Sequence, residues 1–353
     1  MTAPAARSRP RELGVTVGAL PAGPLDAITD VAGVRVGHAT VWHDEPFVAR
    51  SGVTAIVPDL LHAQFERPMT AGVAVLNGAG ELTGAAEIRE WGLLETPVLL
   101  TNTMGVGVAY QGTVAAMLAA SPRVGVDEVV IPVVGECDDS WLHDARGDAI
   151  TPDVARAAID AATPGPVLGG AIGAGTGMVC FGCKGGIGNA SRVTPAGTVG
   201  ALVLANFGSI DRLTISGAVV GPDLAAAGVG RSREREPAGS CIVVLATDAP
   251  LTAAQCERLA RRAGLGLGRV GSVAHHGSGE IFLACSTTAR LDRFDRTTIV
   301  NTDRLADHAL DDLFAAGVEA TEAAVVDALF CAATVTGRDG RIVDALPIER
   351  VTR

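Results

Sequence analysis

A chain of 353 residues, 48% apolar and 19% charged, has ample material for one large core or two ordinary ones. Its formal charge of −11 argues against nucleic acid as a partner, because phosphate recognition needs a basic surface. No run approaches the roughly 18 apolar residues that span a bilayer, no apolar stretch follows the start MTAPAARSRPRELG, and seven irregularly spaced cysteines make no disulfide framework, so a soluble protein of a reducing cytoplasm, without a membrane partner, is expected.

Short apolar runs predict strands at Val34–Val36, Val53–Val57, Val73–Leu76, Val98–Leu100, Val129–Val134, Val199–Ala205, Cys241–Ala246 and Ile281–Ala284. Thr151-Pro152-Asp153 reads as an N-cap, a first-turn proline and an acid near the positive helix end, opening a helix that runs to Ala162 and stops at Pro164-Gly165. Thr252 caps Ala253–Ala263, with Cys256, Leu259 and Ala263 on one face. A third helix, Glu319–Ala333, is nearly all Ala, Val and Leu and must be buried. Strands this apolar belong to sheets covered on both faces, so a layered α/β or α+β domain follows. The internal seam is the charged loop at Arg231–Glu236.

Several segments invite a chemical reading. The cluster Gly169 to Gly188 holds Gly173-Ala174-Gly175, but Met178 stands where a dinucleotide fingerprint needs its third glycine. Close backbone packing or a nest of N–H groups explains the cluster better. Cys180 and Cys183 form a C-x-x-C without the second pair that a zinc site requires, so no metal is expected.

Ser240 follows Gly239 at the junction of a charged, breaker-rich stretch and the apolar run from Cys241. Were that bond cut, Ser240 would carry a hydroxyl and a free amine, whose ordinary pKa of about 7.7–8.0 leaves part of it able to accept the hydroxyl proton near neutrality. Gly-Ser occurs four times, and an ordinary loop-to-strand junction explains the same flanks. Ser278 and Glu280, two apart at a strand start, point to the same side and could form a relay, or an edge turn with a solvated acid. Asn206, at a strand end, is a candidate oxyanion donor or a turn cap. Glu136, at another, could hold a substrate ammonium or face solvent.

Together these segments resemble the DmpA-type family of L-aminopeptidase/D-esterase-amidases and β-peptidyl aminopeptidases. The resemblance rests on the run Pro24 to His38 (PLDAITDVAGVRVGH), then Leu76 to Gly84 (LNGAGELTG), Leu100-Thr101-Asn102-Thr103, Lys184 to Gly188 (KGGIG) and Gly239-Ser240, in the family's order. It implies a four-layer αββα sandwich, the fold shared with ornithine acetyltransferases, as one domain that cleaves itself into residues 1–239 and 240–353. Ser240 is then the nucleophile, Ser278 and Glu280 the supporting hydroxyl and carboxylate, Asn206 the oxyanion amide and Glu136 the holder of the substrate's amine. No cofactor is implied, and the substrates are small peptides, amides or esters with a free amine, acted on by homo-oligomers of the cleaved unit. Asp138 stands where the family carries a tyrosine beside the oxyanion asparagine, unless the alignment slips to Trp141. Met104-Gly105 replaces His-Ser, and Cys183 takes an aromatic position. The competing expectations are an acyltransferase of the ornithine-acetyltransferase kind and a non-catalytic oligomeric binding protein of the same fold.

Overall fold

The structure is a computed structural model that describes residues 4–231 and 239–352, so most of the charged loop expected as a seam lies outside the described residues. In chain order the first elements are β1 (Arg35–His43), β2 (Ala49–Val57), α1 (Leu61–Glu66), β3 (Met69–Gly78), α2 (Ala85–Trp91), β4 (Leu93–Leu94), β5 (Val98–Asn102), α3 (Val106–Ala120), β6 (Val133–Cys137) and α4 (Pro152–Asp160). Then come β7 (Val179–Cys180), β8 (Cys183–Lys184), β9 (Gly186–Thr194), β10 (Gly197–Asn206), β11 (Thr214–Ile215), β12 (Ala218–Val219) and α5 (Gly221–Ala226). The remainder is β13 (Ser240–Thr247), α6 (Ala253–Ala260), α7 (Arg262–Arg269), β14 (Gly279–Arg290), α8 (Leu310–Cys331), β15 (Val335–Thr336) and β16 (Ile342–Val343).

Two sheets carry the molecule. One has the order β1-β2-β5-β6, the other β4-β3-β14-β13-β10-β9. Strand alternation sorts their side chains into three buried layers. On β13, Cys241, Val243 and Leu245 pack against α6, α7 and α8, whereas Ile242, Val244 and Ala246 meet Val36, Ile56, Leu100 and Val133 of the other sheet. The outer face of that sheet sends Val53, Ala55, Leu99 and Val134 against Ala109 and Ala116 of α3 and Ala155 and Ile159 of α4. Helix, sheet, sheet and helix follow one another, which is the expected αββα sandwich.

With so few aromatic residues, helices and strands pack nearly backbone to backbone. Gly188 on β9 lies so close to Ala324 and Ala328 of α8 that a Cβ there would stand 2.6 Å from the Ala328 nitrogen. The sequence reading took this glycine-rich segment as packing without a strand, and β9 was missed for that reason.

Both caps form as expected. The hydroxyl of Thr151 accepts from Val154 N at 3.2 Å, and that of Thr252 from Gln255 N at 3.3 Å within a full capping box. The second helix ends at Ala260 and restarts as α7, with Cys256, Leu259 and Ala263 all buried. The third begins at Leu310, nine residues before Glu319, because Leu313, Phe314 and Ala316 extend its buried face. β6 starts at Val133 rather than Val129 and runs through Cys137, so Glu136 lies inside the strand. The stretch Thr103–Ala120 is long and apolar enough by length and composition to cross a membrane, contrary to the sequence reading. Here it packs on α4 and the four-stranded sheet.

Candidate active site

The register of the six-stranded sheet assembles the centre. Ser240 opens β13 opposite Asn206, the last residue of β10, and beside Gly279, the first of β14. Both strand ends are buried, leaving Ser240 7% and Asn206 1% exposed. Alternation turns Ser240, with Ile242 and Val244, toward the four-stranded sheet. The carbonyl of Gly239 accepts a hydrogen bond from Gly279 N at 3.2 Å. Residue 239 tolerates no side chain: a Cβ would stand 2.8 Å from Phe207 Cα and closer still to the Asn206 carbonyl oxygen. The scissile peptide proposed from the sequence is thus pressed against β10 with its carbonyl on a backbone donor.

Asn206 is held at both ends of its amide. Oδ1 accepts from Val179 N at 2.8 Å, and Nδ2 donates to the Asp138 main-chain carbonyl at 2.9 Å. That leaves one Nδ2 hydrogen with no partner among the described residues, as an oxyanion donor requires. The Asp138 side chain is not the counterpart of a tyrosine at this amide. It is exposed and accepts from Ser140 N at 2.9 Å. Trp141 does not fill the slot either: its ring lies 4.3 Å under the Arg341 guanidinium, packed with Leu142, Val335 and Val343.

Glu136 approaches from the other sheet. β6 crosses above β13 and β10, with Gly135 against Ile242 and Cys137 against the Leu204 carbonyl. Glu136 accepts from Glu81 N at 3.0 Å and from the Thr103 hydroxyl. A Cβ on Gly80 would lie 3.1 Å from Glu136 Oε1 and 3.5 Å from Gly279 Cα, which puts this carboxylate near the start of β14, the strand end that pairs with Ser240. Burial raises its pKa; the hydrogen bonds from Thr103 and Glu81 oppose the rise, and the charges of Asp138 and Glu81 add to it.

Ser278 donates to Glu280 Oε1, as the i, i+2 spacing predicts. Glu280 is fully buried, its Oε2 has no hydrogen-bond partner among the described residues, and burial raises its pKa while the serine lowers it. Its strand neighbours Phe282 and Ala284 face the helical layer, so the pair sits on the side of β14 away from the inter-sheet face that Ser240 occupies. Among the described residues nothing is hydrogen-bonded to Ser240 Oγ.

Four participants escaped the sequence reading. Thr103 was matched without a role. Gly279 supplies a backbone donor, which no side-chain pattern reveals. Lys184 is fully buried, and its Nζ donates to the carbonyls of Gly175, Met178 and Gly185 at 3.0, 2.7 and 2.8 Å. Asp139 is buried, neither of its carboxylate oxygens is in a hydrogen bond of good geometry among the described residues, and burial pushes its pKa up to about 8, against the nearby Ser51 and Asn102 side chains. A signal for Lys184 was present, since it is the single lysine among 28 basic residues. Cys180 and Cys183 face each other across a two-residue turn in which Phe181 and Gly182 both have positive φ, the geometry of a tight hairpin, and both thiols are buried and unpaired. Among the described residues no group of three His, Cys, Asp or Glu side chains is gathered to hold a metal. A recess of about 800 Å³ along β3, lined by Val73, Val75, Arg89 and Glu257, contains none of the site residues.

The family model for peptidase family S58 matches residues 26–343. The chain is 39% identical to the beta-peptidyl aminopeptidase BapA of Sphingosinicella xenopeptidilytica, over all of this chain and 92% of that one. Among solved structures it is similar to a beta-aminopeptidase of a Burkholderia species (40% identity, TM-score 0.88, covering 98% of this chain and 97% of that one). It is equally similar to the L-aminopeptidase D-Ala-esterase/amidase of Ochrobactrum anthropi, a variant of the Ntn hydrolase fold (40% identity, TM-score 0.88, covering 97% and 96%). With the sandwich and the strand-end serine in place, these matches decide against both the acyltransferase and the non-catalytic reading: the chain belongs to peptidase family S58 and is a serine-type aminopeptidase.

Proposed function

We propose that the chain cleaves itself between Gly239 and Ser240, and that the new terminal serine then removes amino-terminal residues, β-residues included, from small peptides, amides and esters. The observation that carries this reading is the register that sets Ser240 between Asn206 and Gly279 while Gly279 N–H holds the Gly239 carbonyl.

In the first reaction Ser240 Oγ attacks the Gly239 carbonyl carbon. The oxyanion develops on the atom that Gly279 N–H already contacts. The C–N bond breaks as the nitrogen takes the hydroxyl proton, leaving Gly239 as an ester on Oγ. Water hydrolyses that ester, releasing residues 1–239 with a carboxylate end and freeing the Ser240 hydroxyl and amine. In the second reaction the amine takes the Oγ proton as Oγ attacks the substrate carbonyl. The free hydrogen of Asn206 Nδ2 receives the oxyanion, and Glu136 binds the substrate's ammonium. The leaving amine or alcohol departs with the proton, and water resolves the acyl-enzyme. Ser278 and Glu280 form a buried hydroxyl–carboxyl pair that fixes the start of β14. The β-residue preference draws support from what the Sphingosinicella and Burkholderia relatives are named for. Seven buried, unpaired cysteines agree with a reducing cytoplasm. Exposed Leu118, Val126 and Val129 offer apolar surface for assembly of cleaved units.

The test is amino-terminal sequencing and intact mass of purified protein, followed by a panel of α-, β- and D-aminoacyl p-nitroanilides. A fragment beginning Ser-Cys-Ile-Val, absent in Ser240→Ala together with all turnover, is the expected result. Continued cleavage in Ser240→Ala would overturn the assignment of the nucleophile, and indifference of the panel to β-residues would overturn the substrate reading alone.

A further inference from the structure

We infer that Lys184 is a positioning residue that polarises Asn206 through the single peptide group joining Met178 to Val179, and so sets the strength of the oxyanion donor. This deepens the reading of Asn206 given above and rests on it. The carbonyl of that peptide accepts from Lys184 Nζ at 2.7 Å, and its N–H donates to Asn206 Oδ1 at 2.8 Å. Charge on the ammonium draws electron density toward the Met178 oxygen, which makes the Val179 N–H a stronger donor. A stronger bond to Oδ1 in turn draws density from the Asn206 nitrogen, whose free hydrogen is the one assigned to the developing oxyanion. Hydrogen bonds in series polarise one another, most effectively where water is excluded. Lys184, Val179 and Asn206 are all buried.

The cage selects an ammonium. Three carbonyls stand at 3.0, 2.7 and 2.8 Å from Nζ, and only the charged form has three hydrogens to give them. Burial draws the pKa of Lys184 down to about 7 even with the neighbouring Cys180 and Asp139 acting in the opposite sense, so the three carbonyls of the cage are what favour the charged form. No single guanidinium nitrogen carries three hydrogens, so one atom of an arginine could not serve all three carbonyls. The sequence is consistent with that demand: every other basic residue among the 28 is arginine, and the single lysine stands here.

Lys184→Met removes the charge at nearly constant volume. In correctly cleaved protein it should lower kcat about tenfold while leaving KM within about threefold, since the oxyanion exists only in the transition state. The deciding measurement is a double-mutant cycle with Asn206→Ala. If Lys184 acts through Asn206, Lys184→Met should change kcat by less than about twofold in the Asn206→Ala background. An equal loss in both backgrounds, or no loss in either, overturns the inference. If Asn206→Ala itself keeps full kcat, the oxyanion reading fails first and is recognised by that result alone. Should Lys184→Met not fold, Lys184→Gln takes its place in the same cycle. Wild-type protein gives an independent check: with one lysine, a 13Cε-lysine label yields a single carbon signal. A signal of the charged amine throughout the active pH range is expected, and a neutral amine there overturns the inference.

Discussion

Alanine at position 239 tests how closely self-cleavage depends on the grip around the scissile peptide. The added Cβ would stand 2.8 Å from Phe207 Cα and closer to the Asn206 carbonyl oxygen, both main-chain atoms that cannot rotate aside. Ordinary contact begins near 3.4 Å, so residue 239 must retreat by at least about 0.6 Å, and further from the carbonyl. The Gly239 carbonyl, which Gly279 N–H contacts at 3.2 Å, is displaced with it from the position that Ser240 Oγ attacks. Misplacing reacting groups by about 1 Å costs on the order of 10²-fold. Gly239→Ala should therefore slow fragment formation by at least about 10²-fold. The assay is a time course on denaturing gels with intact mass, following conversion of the 353-residue chain to pieces of 239 and 114 residues. Once cut, residue 239 is a chain end free to move away, so turnover per cleaved molecule should stay within about twofold of wild type. Cleavage at the wild-type rate would refute the argument from close packing. Loss of turnover in fully cut material would refute the separation of the two reactions.

Glu136 must be ionised to bind an ammonium, and its raised pKa means that carboxylate is lost at a higher pH than for an ordinary glutamate. The Glu136 limb of kcat/KM should lie above the usual carboxylate range, move higher in Thr103→Val, and vanish in Glu136→Gln with a large rise in KM, leaving there the limb of the terminal amine alone; an unmoved limb in Thr103→Val would count against the role of that hydroxyl. Asp139 offers a stability test. Its folded value of about 8 against an ordinary 3.8 means the folded chain holds the proton more tightly, so its stabilising contribution is complete below the ordinary value and drains away as pH rises toward 8. Asp139→Asn removes that slope of about 1.4 kcal/mol per pH unit, so in an uncleaved Ser240→Ala background the variant should gain about 3 kcal/mol on wild type between about pH 5 and pH 7, read from urea midpoints. Parallel curves would show that the carboxyl is not held neutral.

Much of this fold was legible because its strands are apolar on both faces, and the Ser240 strand could be read to within a residue at each end. Glycine hid the rest. β9 reads as a loop until α8 is seen lying on Gly188, because a glycine's strand-forming role there comes from a neighbour about 140 residues away rather than from its own preference. Ser278 and Glu280 were paired correctly from their spacing, a local property. Thr103 and Gly279 were not found, since one acts by reaching across sheets and the other through its main chain. The sequence left the tyrosine position open between Asp138 and Trp141 for a related reason: an alignment compares side chains, and here the main-chain carbonyl of Asp138 makes the contact.

Self-cleavage also prepares its own base. β13 is paired along its length to β10 and β14, and the cut severs none of those pairs, so the new amine appears where the Ser240 nitrogen already lies. Ser240 is 7% exposed, and burial disfavours an ammonium, moving its pKa below the ordinary range of about 7.7–8.0. The carboxylates that could oppose that shift are Glu136, which Glu136→Gln removes, and Glu280, which is turned away. Glu136 is engaged by Thr103 and Glu81, and Glu280 is paired with Ser278 on the helix-facing side of β14. The amine should thus be neutral, and competent as a base, at neutral pH. In Glu136→Gln, where the other rising limb is gone, kcat should climb with pH through a midpoint below about 7.7. A midpoint above about 8 would mean that a carboxylate governs the amine, and that the amine is not the neutral base at neutral pH.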